Sequence, residues 1–276
     1  MKKRTSKSQL VLMIVLGVVG LLILIPFLYM VVTSLKSKTE IMAKGTPFFP
    51  KEVVWCHYQK VLKNVPYFTT LFNSFFISAM TTIIAIFFST MVGYGIAKFS
   101  SKLMKSVLFV FVSAMMIPPF MVGLPLYLVA APLGLTNSLW AIIIPFAVSN
   151  FGIFLMHQYC LSIPNDLIAA ARIDGASEYQ IFLKIALPIV SAGCSAFGIL
   201  KFLMTWNDFF FPLIMLTRER KMTLQVLLAT SIDFEYGVDY GFVMALSTLV
   251  VLPVVIIFLL FQNRIMEGVA VSGMKA

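Results

Sequence analysis

Apolar runs with almost no charge recur along this chain at 10–34, 70–97, 106–131, 138–159, 187–216 and 242–262, separated by short polar connections. A helix needs about 20 apolar residues to cross a bilayer, and each run reaches that length. The pattern predicts an all-α polytopic membrane protein with six transmembrane helices and both termini on one side. The whole chain, 1–276, reads as a single transmembrane domain with no room for a soluble one. The first run follows Lys2, Lys3, Arg4 and Lys7, the layout of a secretory signal. It is too long for the roughly 7–15-residue core of such a signal and lacks a small-residue cleavage site, so it reads as a retained span.

Breaks in the pattern matter as much as the runs. Ile117-Pro118-Pro119-Phe120, followed by Gly123 and Pro125, excludes a regular helix in the third run, since each proline removes a donor and clashes with the preceding turn. Broken backbone at membrane depth is tolerated where protein or a water-filled cavity satisfies it. Pro118 and Pro119 therefore mark either a translocation path or a packing kink. Pro26, Pro145, Pro188, Pro212 and Pro253 are isolated, and simple kinks account for them.

Composition agrees: 60% of the residues are hydrophobic and 12% charged, against roughly 45–50% and 25% in soluble domains. The net charge of +10 is spread over connections and forms no single basic face, which argues against nucleic acid and for membrane topology. Lysine and arginine accumulate in cytoplasmic connections. The basic N-terminus and Lys98, Lys102 and Lys105 thus place the termini and 98–105 inside. Lys36, Lys38, Lys44, Lys51, Lys60 and Lys63 in the first connection run against that assignment. It leaves 35–69, a link around Pro132 to Asn137, and 217–241 outside, with 98–105 and the polar stretch 160–186 in the cytoplasm. Three cysteines, Cys56, Cys160 and Cys194, imply no disulfide framework.

Catalytic patterns are missing. The chain has no Gly-Lys dipeptide, hence no phosphate loop of the G-x-x-x-x-G-K-[ST] kind. His57 and His157 belong to no zinc pattern, so neither a metal nor a cofactor is expected on this chain. Intramembrane ionisable residues are functional candidates by default. Lys201 and Asp208, seven apart in the fifth run, are expected on one face roughly 10 Å apart, with Trp206 and Asn207 beside the acid. They read equally as a polar stripe lining a path, or as an interfacial acid and a lysine that snorkels or pairs with another subunit.

The cytoplasmic stretch is the most specified part of the chain. In Ser162-Ile163-Pro164-Asn165-Asp166-Leu167-Ile168-Ala169-Ala170-Ala171-Arg172-Ile173-Asp174-Gly175-Ala176-Ser177-Glu178-Tyr179-Gln180, Pro164 suits a first helical turn. Gly175 suits the left-handed residue that ends a helix, and Ser177 with Gln180 forms a capping box that starts another. Leu167, Ala170 and Ala171 are expected to form a narrow outward face for a partner. Tyr179, Phe182, Leu183 and Ala186 are expected to lie beneath the spans.

These residues resemble the EAA loop of ABC-importer permeases, E-A-A-x-x-x-G followed by I-x-L-P. Ala170-Ala171, Asp174-Gly175 and Ile185-Ala186-Leu187-Pro188 stand at the matching spacing. Phe72-Asn73-Ser74, Gly134-Leu135, Trp206-Asn207-Asp208 and the ending Phe261-Gln262, Glu267-Gly268, Gly273 and Lys275 are similar to the sugar-importer branch, in particular the second permease subunit of the maltose type. One departure stands out: Ala169 occupies the position of the family's usual glutamate. Asp166 or Asp174 is a candidate substitute.

The resemblance implies a type I ABC-importer permease in the bacterial cytoplasmic membrane. It implies a second, non-identical permease, an ATPase dimer that binds ATP and Mg, an extracytoplasmic solute-binding protein, and a sugar substrate. It implies that the loop docks on the ATPase, that 217–241 approaches the binding protein, and that the C-terminal tail reaches toward the ATPases. The rival readings are a secondary transporter or channel using Lys201 and Asp208, and a membrane-embedded enzyme, for which no converging nucleophile, base or metal set is visible.

Overall fold

The computed structural model describes residues 7–99, 101–232 and 238–273, with the side chains at 7 and 261–273 excepted. The basic N-terminus, Lys275 and part of the 217–241 connection lie outside the described residues.

In chain order the helices are α1 (Lys7–Ser34), α2 (Lys38–Met42), α3 (Cys56–Asn64), α4 (Tyr67–Lys98) and α5 (Lys102–Ala114). A 3₁₀ turn at Pro119–Val122 leads into α6 (Gly123–Ala130), followed by α7 (Trp140–Phe146), α8 (Asn150–Leu161) and α9 (Asn165–Ile173). Then come α10 (Glu178–Ile181), a π turn at Phe182–Ala186, α11 (Leu187–Ile189), α12 (Ser191–Trp206), α13 (Phe210–Met215), α14 (Leu224–Thr230) and α15 (Tyr240–Gly273).

Among the described residues, three helices are long and apolar enough to cross a membrane: Ser8–Ser34, Tyr67–Lys98 and Tyr240–Leu260. Three bent pairs meet the same test together, Lys102–Ala114 with Pro119–Ala130 at 97°, Trp140–Phe146 with Asn150–Leu161 at 41°, and Glu178–Ile189 with Ser191–Trp206 at 77°. The first bend falls on the Pro118-Pro119 pair. The second follows Pro145, and Ser149 restarts the helix by accepting the Gly152 N–H.

The fifth run departs from the single helix expected at 187–216. The helix that starts at Glu178 runs through Leu187 and turns at Val190, and α12 stops at Trp206. Pro188 supplies the reason for the π turn ahead of it: a proline cannot donate to, and clashes with, the carbonyl four residues back. An extra residue in the preceding turn relieves that conflict.

The chain divides into two compact units. In the first, formed by residues through 67 together with 228–253, Lys36 is buried, donating from Nζ to Pro47 O at 2.6 Å and lying 5.6 Å from the Tyr29 ring centroid. His57 Nε2 lies 3.0 Å from Lys36 O, and Lys60 pairs with Asp239 at 3.2 Å. Two of the six lysines that run against the charge rule are thus held by the fold.

The second unit, 68–227 with 254–276, holds two apolar cores. One gathers Ile77, Ala130, Ile142, Ile143, Phe211 and Met215. The other joins Ala85, Tyr94, Met156 and Phe197 of the spans to Ile163, Ile168, Ala171, Ile181, Phe182 and Ala186 of the polar stretch.

Candidate functional site

The stretch 160–186 folds as two short helices around a tight turn, each end specified locally. Pro164 stands just before the first helical residue, at the cap position. Asp166 lies in the first turn of α9 and Arg172 in the last, each placed favourably on the helix dipole.

At the far end of α9, Gly175 has φ +81°. The Ala176 N–H donates to Ala171 O at 3.0 Å and the Gly175 N–H to Arg172 O at 3.1 Å, the paired bonds of a Schellman stop. Two residues on, Ser177 Oγ accepts the Gln180 N–H while Gln180 Oε1 accepts the Ser177 N–H at 2.9 Å, so the capping box is formed.

Side chains then brace the turn. Arg172 Nε donates to Glu178 Oε1 at 2.6 Å across Gly175, and its guanidinium carbon lies 5.7 Å from the Phe99 ring centroid. The Glu178 hydrogen bond raises the Arg172 pKa. Lys98, the last residue of α4, donates from Nζ to Ile163 O at 2.6 Å and to Asn165 Oδ1 at 3.0 Å.

Which face is buried differs from expectation in two places. Ala171 turns inward with Ile168, at helical spacing of three, leaving Leu167, Ala169 and Ala170 outward. Tyr179 is exposed, and Ile181 takes the inward place beside Phe182 and Ala186. Ile181 and Ala186, five apart across the π turn, share the buried side.

The loop therefore sits on the spans by one face and presents Leu167, Ala170, Ile173 and Tyr179 on the other. Ile173 is 86% exposed and Tyr179 63%, a concentration of apolar surface that fits an interaction patch. Asp174 and Asp166 are exposed at its edges. The sequence pattern marks neither Ile173 as part of this face nor Lys98, read there only for topology, as a tether of the loop; an isoleucine beside the stop signal, on a stretch predicted to lie outside the bilayer, is the available sign for the first.

The candidate path residues are spread over several elements. Pro118 caps the 3₁₀ turn that Pro119 begins, and Phe120 packs edge-on against Phe210 with centroids 5.0 Å apart. Lys201 places Nζ 5.7 Å from the Phe146 centroid. Trp206 is buried and stacks on Phe202, and Asn207 caps α12, returning its amide to Leu203 O at 2.9 Å.

Asp208 lies beyond α12 and accepts the Phe211 N–H at 3.4 Å, at the start of α13. The shared helical face expected for Lys201 and Asp208 is therefore not formed, because the helix stops between them. They make no ion pair among the described residues.

Among the described residues no group of three His, Cys, Asp or Glu side chains could hold a metal.

Bent apolar spans with a doubly capped loop seated on them define a permease of the type I ABC-importer fold. A solved bacterial ABC transporter involved in the import of the acidic polysaccharide alginate matches with a TM-score of 0.82 and 25% identity, over 95% of this chain and 99% of that one. The chain belongs to the family of binding-protein-dependent transport system inner membrane components, matched over residues 85–270, which include the loop.

The arabinooligosaccharides transport system permease protein AraQ of Bacillus subtilis is 34% identical over 274 residues, covering 98% of this chain and 97% of that protein. The lactose transport system permease protein LacG of Rhizobium radiobacter is 29% identical over 254 residues, covering 92% of each.

Proposed function

We propose that this chain is one membrane-spanning subunit of an ATP-driven, binding-protein-dependent importer of di- or oligosaccharides in the bacterial cytoplasmic membrane, with six spans and both termini inside. The loop 160–186 docks on a separate ATPase dimer, where ATP and Mg are bound. A second permease completes the pathway, and a solute-binding protein delivers the sugar from outside.

The observation that carries this reading is the loop itself: a turn fixed from both sides, rigid on its span face, with Leu167, Ala170, Ile173 and Tyr179 unpartnered on the other. Closure of the ATPase dimer moves Leu167 to Gly175, and the spans answer by shifting between inward-facing and outward-facing arrangements whose equilibrium the loop biases. The sugar class rests on the names of the relatives. The ion-gradient alternative would need Lys201 and Asp208 as a relay, and among the described residues they form no ion pair.

The test is purification of the assembled complex and measurement of which sugars, with the binding protein, stimulate ATP hydrolysis. Uptake that ends on ATP depletion is the expected companion result. Uptake that survives ATP depletion and collapses with the proton or sodium gradient would overturn the reading.

A further inference from the structure

α4 differs from every other apolar span helix described. α1 and α15 contain Pro26 and Pro253, and the remaining spans are pairs bent by 97°, 41° and 77°. α4 runs 32 residues from Tyr67 to Lys98 with no proline and no break. Sharp kinks in helices need a proline, a Gly/Ser pair, a π bulge or an inserted group. α4 has glycines only at 93 and 95, and at Gly93 its backbone lies against that of Met156 and His157.

Both ends of α4 are tied by side-chain hydrogen bonds to segments far away in sequence. At one end Lys98 Nζ holds Ile163 O at 2.6 Å and Asn165 Oδ1 at 3.0 Å, on either side of Pro164 where α9 begins. At the other, Asn73 Nδ2 donates to Arg220 O and Met222 O, each at 3.0 Å, and Ser74 Oγ accepts the Leu224 N–H at 2.8 Å. Asn73 and Ser74 are buried, so these bonds are shielded from competing water. Residues 73 and 98 are separated by roughly 37 Å of helix at 1.5 Å per residue, enough to cross the hydrocarbon core.

We propose that α4 is a strut that ties the loop at 160–186 to the connection at 220–224 on the opposite side of the membrane, with Lys98 and Asn73 as its positioning residues. A displacement of the start of α9 pulls on Lys98, and an unkinked helix passes it along its axis to Asn73. Asn73 holds two carbonyls of the far connection and moves with them. The strut rests on the coupling role proposed for the loop. It adds the element through which that loop is felt on the other side.

Coupling of this kind has to be shown energetically. In proteoliposomes holding both permeases, the ATPase dimer and the binding protein, the measured quantity is sugar transported per ATP hydrolysed. Lys98→Met and Asn73→Leu each lower that ratio by about fivefold or more, the scale of ordinary allosteric coupling. Lys98→Arg restores most of the loss, since it keeps the charge and the donors. The double variant falls no further than the worse single one, because two links in series cannot be broken twice.

Effects that multiply, or single variants with an unchanged ratio, overturn the strut. Lys98→Gln, which keeps one donor, replaces Lys98→Met in the same comparison if that variant does not assemble. Gly175→Pro separates the two levels. An unchanged ratio there sinks the role of the loop, whereas a lowered ratio there with Lys98→Met and Asn73→Leu unaffected sinks the strut alone.

Discussion

A single left-handed residue decides the geometry of the turn between α9 and α10. Gly175 sits in open space, so an added methyl meets nothing; what opposes it is φ +81°. The left-handed region costs a residue with a Cβ roughly 1–2 kcal/mol. Gly175→Ala is expected to lower the thermal stability of the purified complex by that amount, and Gly175→Asn by less, as read by thermal unfolding in detergent.

Asp239 is the second informative residue. Partial burial alone would raise its pKa, but hydrogen bonds from the Phe242 N–H and Lys60, with His57 nearby, hold it below the usual carboxylate range. Its folded value lies below the unfolded one, about 3.9. Its stabilisation is therefore present above that pH and lost as the pH falls through the folded value. Asp239→Ala removes both the cap of α15 and the ion pair, an expected loss of about 1 kcal/mol at neutral pH. The variant's melting temperature should also fall less steeply than that of the native chain below about pH 4.

At the scale of elements, close approach is what seats α4 on α8. A Cβ on Gly93 would lie 2.7 Å from the His157 nitrogen and 2.9 Å from the Met156 carbonyl carbon, both backbone atoms that cannot step aside. Small residues permit such contact between membrane helices. Gly93→Val is expected to cost about 1–3 kcal/mol by overpacking, seen as reduced membrane accumulation of the subunit and a lower unfolding temperature.

The loop element makes the opposite case, an exposed face that the proposed function assigns to a partner. Ala169 is exposed, so Ala169→Glu, which restores the family's carboxylate, should change stability by less than about 0.5 kcal/mol. The expected gain is retention of the ATPase through a salt wash that strips it from the native complex. Loss of the ATPase in that wash at the native rate would show that Asp166, Asp174 or shape alone supplies the contact.

For the whole molecule the decisive quantity is which side each connection faces. Cys56 is exposed in the first connection, and Ile173 is exposed in the loop. A membrane-impermeant maleimide applied to cells with a permeable outer barrier is expected to label Cys56 and to spare a cysteine introduced by Ile173→Cys. Inverted vesicles should give the reverse. Labelling of position 173 from outside would invert the topology and remove the loop from the ATPase's reach.

The apolar pattern by itself determined that the chain is a bundle of membrane helices, because hydrocarbon forces long apolar runs into helices whatever they pack against. It also determined the turn at Gly175, since caps and left-handed glycines act within a few residues. Only the tertiary structure decided which faces are inward. Ala171 and Ile181 are buried, and Tyr179 is not, because the spans offer a core on one side alone. The tethering of 163–165 and 220–224 to the two ends of α4 likewise depends on residues distant in sequence. Such contacts exist only once the bundle has assembled, and no local periodicity encodes them.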